Sequence, residues 1–362
     1  MRKKVVLLVS ILVTSTLLGC GKEEMNVPSS NSEVTTIASN DSEVDVDSES
    51  DDAEDVVYPT TMHEVYQLPD DYVIHWRDEA LERWIRKRVV TDKEEDYQIT
   101  LGDVRDIETL NIGVMDIGKE EIKCFDDLIY FESVKNLSIM VLEQPSVSLE
   151  VLKELTKLES VTFFSCSIES GYEILKDLEN VTSLELKGVG KFDFQNIAEC
   201  TELTKLTIDA SNMTQEDTQY LLELKNLKYL TFFDSDIQNF EFLSDFENLT
   251  SLKVSGNKVV PDLKSFENVN CMELYLTNCG IIDIEDFRID ENVELLHLNM
   301  NDIKDVSVLS NYINLNSIDL SDNPNLDSVE TLSNLPELWS LDIRNTSVAD
   351  VSFKDNVASL YQ

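Results

Sequence analysis

Basic side chains are scarce in this sequence. Lysine and arginine number 29 against 71 aspartates and glutamates, a formal charge of −42. Binding to nucleic acid or to an anionic lipid surface needs clustered lysine and arginine, so neither is the expected partner. Catalytic equipment is equally thin. The three histidines, His63, His75 and His297, are far apart, and the ten glycines are scattered. No phosphate-binding glycine loop, nucleophile elbow, HExxH helix or paired CxxC is present. The expectation is a protein that is not an enzyme and holds no cofactor or metal. The apolar run Val5 to Leu18 has 14 residues, short of the roughly 20 that span a bilayer.

That run has its own meaning. "MRKKVVLLVSILVTSTLLGC" is a basic start, a short apolar stretch, then Gly19 and Cys20, which is the layout of a signal peptide. The ending "LLGC" resembles the lipobox of bacterial lipoproteins. The resemblance implies cleavage after residue 19 and a diacylglyceryl group on the Cys20 thiol. The chain is then expected to be exported and held by lipid at the extracellular face of a cell membrane, its sole membrane contact. Stable anchoring takes more than one acyl chain, as this modification supplies. From 21 to 57 there are 12 acids, one lysine and no aromatic residue. Such a composition buries too little apolar surface to offset the entropy of ordering, so residues 20–57 are expected to be a solvated acidic tether. "DVDSESDD" lacks the central glycine and terminal glutamate of a calcium loop.

Folded sequence is expected from about Tyr58, with 58–108 forming an N-terminal helical cap. Trp76, Ala80, Leu81, Trp84, Ile85 and Val89 recur at three- and four-residue spacing, which predicts one amphipathic helix over 74–89. Its acids come first and its bases last, the order that suits the helix dipole.

One apolar spacing then dominates the chain. "NLTSLKVSGNKV", "ELLHLNMNDI" and "NLNSIDLSDNPNL" share the template LxxLxLxxNxI. Its second apolar position, the index, falls on Leu110, Leu137, Val161, Leu184, Leu206, Leu230, Leu252, Leu274, Leu296, Ile318 and Leu341. The intervals are 27, 24, 23, 22, 24, 22, 22, 22, 22 and 23, and the residue two further on is apolar every time. This regularity identifies a leucine-rich repeat array over 109–352. The predicted fold is an α/β solenoid of about eleven short strands in a curved parallel sheet. Index residues point inward, and the chain returns on the convex side by short 3₁₀ or loop segments through Phe240, Ile284, Val306, Val329 and Val351. Residues 353–362 are a short C-terminal end, with Phe353, Val357 and Leu360 available to cover it.

The template's asparagine is Asn257, Asn301 and Asn323, replaced elsewhere by Cys166, Cys279, Ser211, Ser235 and Thr346. There a side chain can satisfy backbone groups that the sheet leaves unpaired. Cys166 and Cys279, five repeats apart, would stand more than about 20 Å from each other at 4.8 Å per strand, too far for a disulfide. Free thiols are expected.

The 22-residue units and the module "RDEALERWIRKRV…ITLGDVRDIETLNI" resemble the internalin-like leucine-rich repeat proteins of bacterial surfaces, over about residues 74–352. The early repeats depart from the pattern by lacking the turn asparagine. What the resemblance implies is a surface protein that binds a partner, in adhesion or a related interaction.

Residues flanking the inward leucines should line the concave sheet. Among them Phe164, Tyr229, Phe233 and Tyr275 are aromatic with no core to fill, and interfaces favour such anchors. The candidate patch is therefore Phe164, Tyr229, Phe233, Lys253, Tyr275 and His297. β-propensity on a pleated surface would place the same residue types there without any partner, and His297 alone reads as a plain surface residue. A protein ligand, from a host or a bacterial surface, is the leading expectation. A glycan stacked on aromatic faces is the alternative, and a self-associating envelope scaffold is a third reading.

Overall fold

The computed structural model of the chain describes residues 57–113, 122–140, 143–190, 192–209 and 212–362. Cys20, the signal segment, the tether up to residue 56 and the turn residue Ser211 lie outside them.

Three short helices open the described part: α1 (Met62–Val65), α2 (Glu79–Arg88) and α3 (Leu101–Val104). The helix predicted over 74–89 begins only at Glu79. Asp78 is its N-cap, its carboxylate accepting from Leu81 N at 2.8 Å. The other carboxylate oxygen accepts from Lys123 N at 2.7 Å and Cys124 N at 3.0 Å, so the cap also binds the helix to the first repeat. Upstream, Ile74 N donates to Ile99 O instead of entering the helix. The buried Asp127 accepts from Arg77 N, Asp78 N and the Arg77 guanidinium at 2.7–3.1 Å. Ala80, Leu81, Trp84 and Ile85 bury the predicted apolar stripe.

The strands follow in chain order: β1 (Thr109–Gly113), β2 (Asn136–Met140), β3 (Glu143–Ser146), β4 (Ser160–Phe164), β5 (Ser167–Ser170), β6 (Ser183–Lys187) and β7 (Lys205–Asp209). They continue as β8 (Tyr229–Phe233), β9 (Ser251–Ser255), β10 (Glu273–Thr277), β11 (Leu295–His297), β12 (Ser317–Asp319), β13 (Ser340–Asp342) and β14 (Ser359–Tyr361). β3 and β5 pair with each other, and the other twelve form one parallel sheet in sequence order. Every index residue is in register with the next, as in Leu252, Leu274, Leu296, Ile318 and Leu341. These residues are buried, as are the five convex-side residues expected from the sequence. Short 3₁₀ turns, such as Glu241–Asp245 and Ser307–Asn311, carry the returning chain.

The sheet has one strand more than the eleven predicted. Leu360 sits opposite Leu341, only 19 residues on, so the 22-residue spacing did not disclose it. The terminal residues read as a cover thus extend the sheet, although Phe353 and Val357 are buried as expected.

Backbone satisfaction explains the polar positions of the repeat. Asn301 accepts from Cys279 N at 3.0 Å and Ile281 N at 3.1 Å, and donates to Leu276 O at 2.8 Å and Leu298 O at 2.9 Å. One unit later Asn323 accepts from Ile303 N at 3.0 Å and donates to Leu298 O and Leu320 O. Where cysteine replaces it, the thiol donates to the equivalent carbonyls, Cys279 to Val254 O and Cys166 to Ile139 O. Among the described residues, Cys124, Cys166, Cys200, Cys271 and Cys279 take part in no disulfide. Burial pushes the thiols of Cys271 and Cys279 up, to about 12 and about 11.

Two further columns went unread in the sequence. Four residues before the index, Asn180, Asn226, Asn248 and Asn314 each donate a side-chain N–H to a carbonyl of the preceding unit, at 2.8–3.1 Å. Four residues after it, every described unit from Val161 to Leu341 holds a left-handed residue: Ser165, Gly188, Asp234, Gly256, Asn278, Met300, Asp322 and Asn345, with φ between 52° and 65°. Gly, Asn and Asp tolerate that conformation best. Ser165 and Met300 are the exceptions, and Met300 is half exposed.

Candidate functional site: the open face of the sheet

Strand alternation sends the index residue and the one two beyond it into the core. It leaves three rows, at one before, one after and three after the index, on the open face. Most side chains in these rows are partly exposed.

Four residues of the middle row form a continuous stack across β9–β12. Lys253, Tyr275, His297 and Asp319 stand opposite one another on consecutive strands. The Lys253 ammonium lies 4.2 Å from the Tyr275 ring centroid. The His297 ring stacks on Tyr275 at 4.2 Å with 16° between planes. His297 Nδ1 is 3.3 Å from Asp319 Oδ2, and Asp319 Oδ1 accepts from Ser321 N at 2.9 Å and Ser321 Oγ at 2.6 Å. Burial favours the neutral form of Asp319, but the bonds from His297 and Ser321 outweigh it and hold the carboxyl below its ordinary range. The Tyr275 hydroxyl donates to Glu273 at 3.3 Å. Burial and that neighbouring carboxylate push its pKa up.

A second polar group lies on β6 and β7. Glu185 pairs with Lys187 at 2.7 Å and with Lys205. Burial again opposes ionisation, and the two lysines prevail in holding Glu185 low. Asp209, beside Lys187, behaves in the opposite way: burial, then the nearby Asp234, push its carboxyl up.

The six candidate residues are therefore not one patch. Lys253, Tyr275 and His297 touch in series. Tyr229 and Phe233 occupy the two ends of β8, next to Lys253's strand. Phe164 is three strands from Phe233, about 14 Å at 4.8 Å per strand, with Lys187 and Asp209 between them in the same row. Asp319 and Glu273 belong to the stack and were not among the candidates. The constant 22-residue interval places Asp319 next to His297, so that signal was available.

The stack also limits the chemistry. Lys253 and His297 cover both faces of Tyr275, leaving its edge and hydroxyl outward. A sugar ring cannot stack there as the residues stand. On the open face Tyr361, opposite Asp342, Tyr229 at 48 % exposure and Phe164 at 38 % are aromatics with more free surface.

On the flank, away from these rows, a cavity of about 380 Å³ is lined by Leu175, Leu178, Val181, Cys200 and Leu203 among others. Cys200 stands six residues before its index, where other units have Leu178, Leu224 and Phe246. The smaller side chain accounts for part of the space.

No protein-family model matches the chain, and no curated protein does. Solved structures share its architecture. An internalin (InlF) from Listeria monocytogenes aligns over 84% of this chain and 97% of its own, at 19% identity and a TM-score of 0.51. Toll, in its complex with Spatzle from Drosophila, aligns over 61% of this chain and 31% of its own, at 17% identity and a TM-score of 0.50. The fold is a leucine-rich repeat solenoid. Identities this low speak to the fold alone, and within it the open face is where side chains are free of structural duty.

Proposed function

We propose that the protein is exported, anchored by lipid at Cys20 to the outer face of a cell membrane, and binds a protein partner across the open face of its repeat sheet. It is a binding protein and not an enzyme. The observation that carries this reading is the stack of Lys253, Tyr275, His297 and Asp319. The contacts of Tyr275, His297 and Asp319 are in place without a ligand, so these side chains would lose little entropy when a partner docks. Beside it, Tyr229 and Phe233 supply aromatic surface of the kind that anchors interfaces. Toll, which shares the fold, is in complex with Spatzle. The covered faces of Tyr275 favour a protein over a stacked glycan. The test places a photo-crosslinking amino acid at Thr231, between Tyr229 and Phe233, and identifies adducts by mass spectrometry. Capture of one partner that Tyr229→Ala and Tyr275→Ala both abolish, with unchanged melting curves, supports the reading. Adducts only with glycans, or none, overturn it. For the anchor, Cys20→Ser should move the protein from the membrane to the soluble fraction; an unchanged distribution rejects lipidation at this residue.

A further inference from the structure

Tyr275 carries a cation on one side and an ionisable ring on the other. Lys253 reaches it from β9, its Nζ 4.2 Å from the ring centroid, and His297 stacks on it from β11 at 4.2 Å. A solvent-accessible ammonium keeps its charge well above neutral pH, whereas imidazole gains its charge in mild acid. With His297 neutral, Tyr275 serves one cation. With His297 protonated, it lies between two, whose parent strands are about 9.6 Å apart.

We propose that this row is a proton-operated switch, in which protonation of His297 releases Lys253 from Tyr275 and turns its ammonium out onto the open face. Every charged group facing the imidazole bears on which partner moves. From β12, Asp319 Oδ2 lies 3.3 Å from His297 Nδ1, so the charged ring is held where it is. From β10, Glu273 binds the Tyr275 hydroxyl and keeps that ring in place. From β13, Asp342 is engaged by Arg344 at 3.0 Å. Among the described residues Lys253 is held only by its flexible stem and its contact with the ring. A partly exposed cation–ring contact is modest, and repulsion from a second cation shifts its population. The consequence for partner binding rests on the function proposed above, but the switch does not, and it is tested without a partner.

The experiment is carbon-edited NMR of the full chain labelled at lysine and histidine. The ε-methylene of Lys253, assigned by its loss in Lys253→Arg, should show an upfield ring-current shift at pH 8. That shift should shrink about threefold as the pH falls, with the same midpoint as the His297 ring signal. Lys228, exposed and without a ring contact among the described residues, should stay flat. In His297→Gln the Lys253 signal should not respond to pH, and in Tyr275→Leu the upfield shift should be absent while His297 still titrates. A Lys253 signal that stays put while His297 titrates overturns the switch. So does the same movement in His297→Gln, or a His297 ring that does not titrate while the chain is folded. Because no ligand is present, these failures leave the binding reading to its own test.

Discussion

Replacing Asn301 by alanine isolates what the turn asparagine contributes. The side chain is 7 % exposed and makes five bonds of 2.8–3.2 Å, accepting two from N–H groups of the preceding unit and donating three to carbonyls. Alanine leaves the N–H groups of Cys279 and Ile281 without an acceptor in a place where water enters poorly. Each buried polar group left unpaired costs about 1–3 kcal/mol. Partial water entry and local relaxation put the loss at roughly 3 kcal/mol, mostly from the two donors. Asn301→Cys should fall between alanine and wild type. A thiol at the equivalent place in the previous unit, Cys279, keeps its donor bonds to Val254 O and Thr277 O, but sulfur is a poor acceptor. Urea denaturation gives the total. Hydrogen exchange at Cys279 and Ile281 gives the local part, which matters because repeat arrays need not unfold in one step. A loss below about 0.5 kcal/mol in Asn301→Ala, well under the cost of one orphaned group, would refute the account. So would Asn301→Cys as unstable as Asn301→Ala.

Three further outcomes are expected. Met300→Gly should raise stability by about 1 kcal/mol, because φ of 59° suits glycine and not methionine; a lower melting temperature would show that methionine packing outweighs the strain. Cys200→Leu should raise the melting temperature by filling the flank cavity of about 380 Å³ with the residue type found in neighbouring units, and a decrease would mean the space is too shallow to bury leucine. Asp319 has a folded pKa below its unfolded value, so its contribution is present above the ordinary carboxylate range near about 4 and is lost as pH falls through the folded pKa. Below about pH 4 the stability gap between wild type and Asp319→Asn should therefore close as acid is added, and a gap that widens there would contradict a carboxyl held below its ordinary range.

Much of this was legible because a solenoid writes its neighbours into its period. The recurrence from Leu206 to Leu341 predicts which side chains enter the core, and their registers agree strand by strand. Asn257, Asn301 and Asn323 declare buried bonds through their spacing, as do Cys166 and Cys279. The left-handed column is legible in retrospect as Gly, Asn, Asp and Ser four places after the index. Met300 breaks that composition and so hides its own backbone. Leu360 breaks the spacing and hides a strand. The start of α2 was misplaced because Ile74 and Trp76 fit a helical stripe, while competing bonds to Ile99 and the N-cap of Asp78 hold those residues outside the helix.

Apolar periodicity settled which residues face inward and that the units stack, because a single unit cannot cover its own apolar layer and must be completed by the next. It set Lys253, Tyr275, His297 and Asp319 opposite one another and Phe164 three units from Phe233, but it could not say that an ammonium lies over Tyr275, that a ring stacks on it or that a carboxylate meets that ring. Those facts depend on rotamers and cross-strand approach, where ring, cation and carboxylate select their partners over a few ångströms and leave no trace in a repeating pattern of leucines.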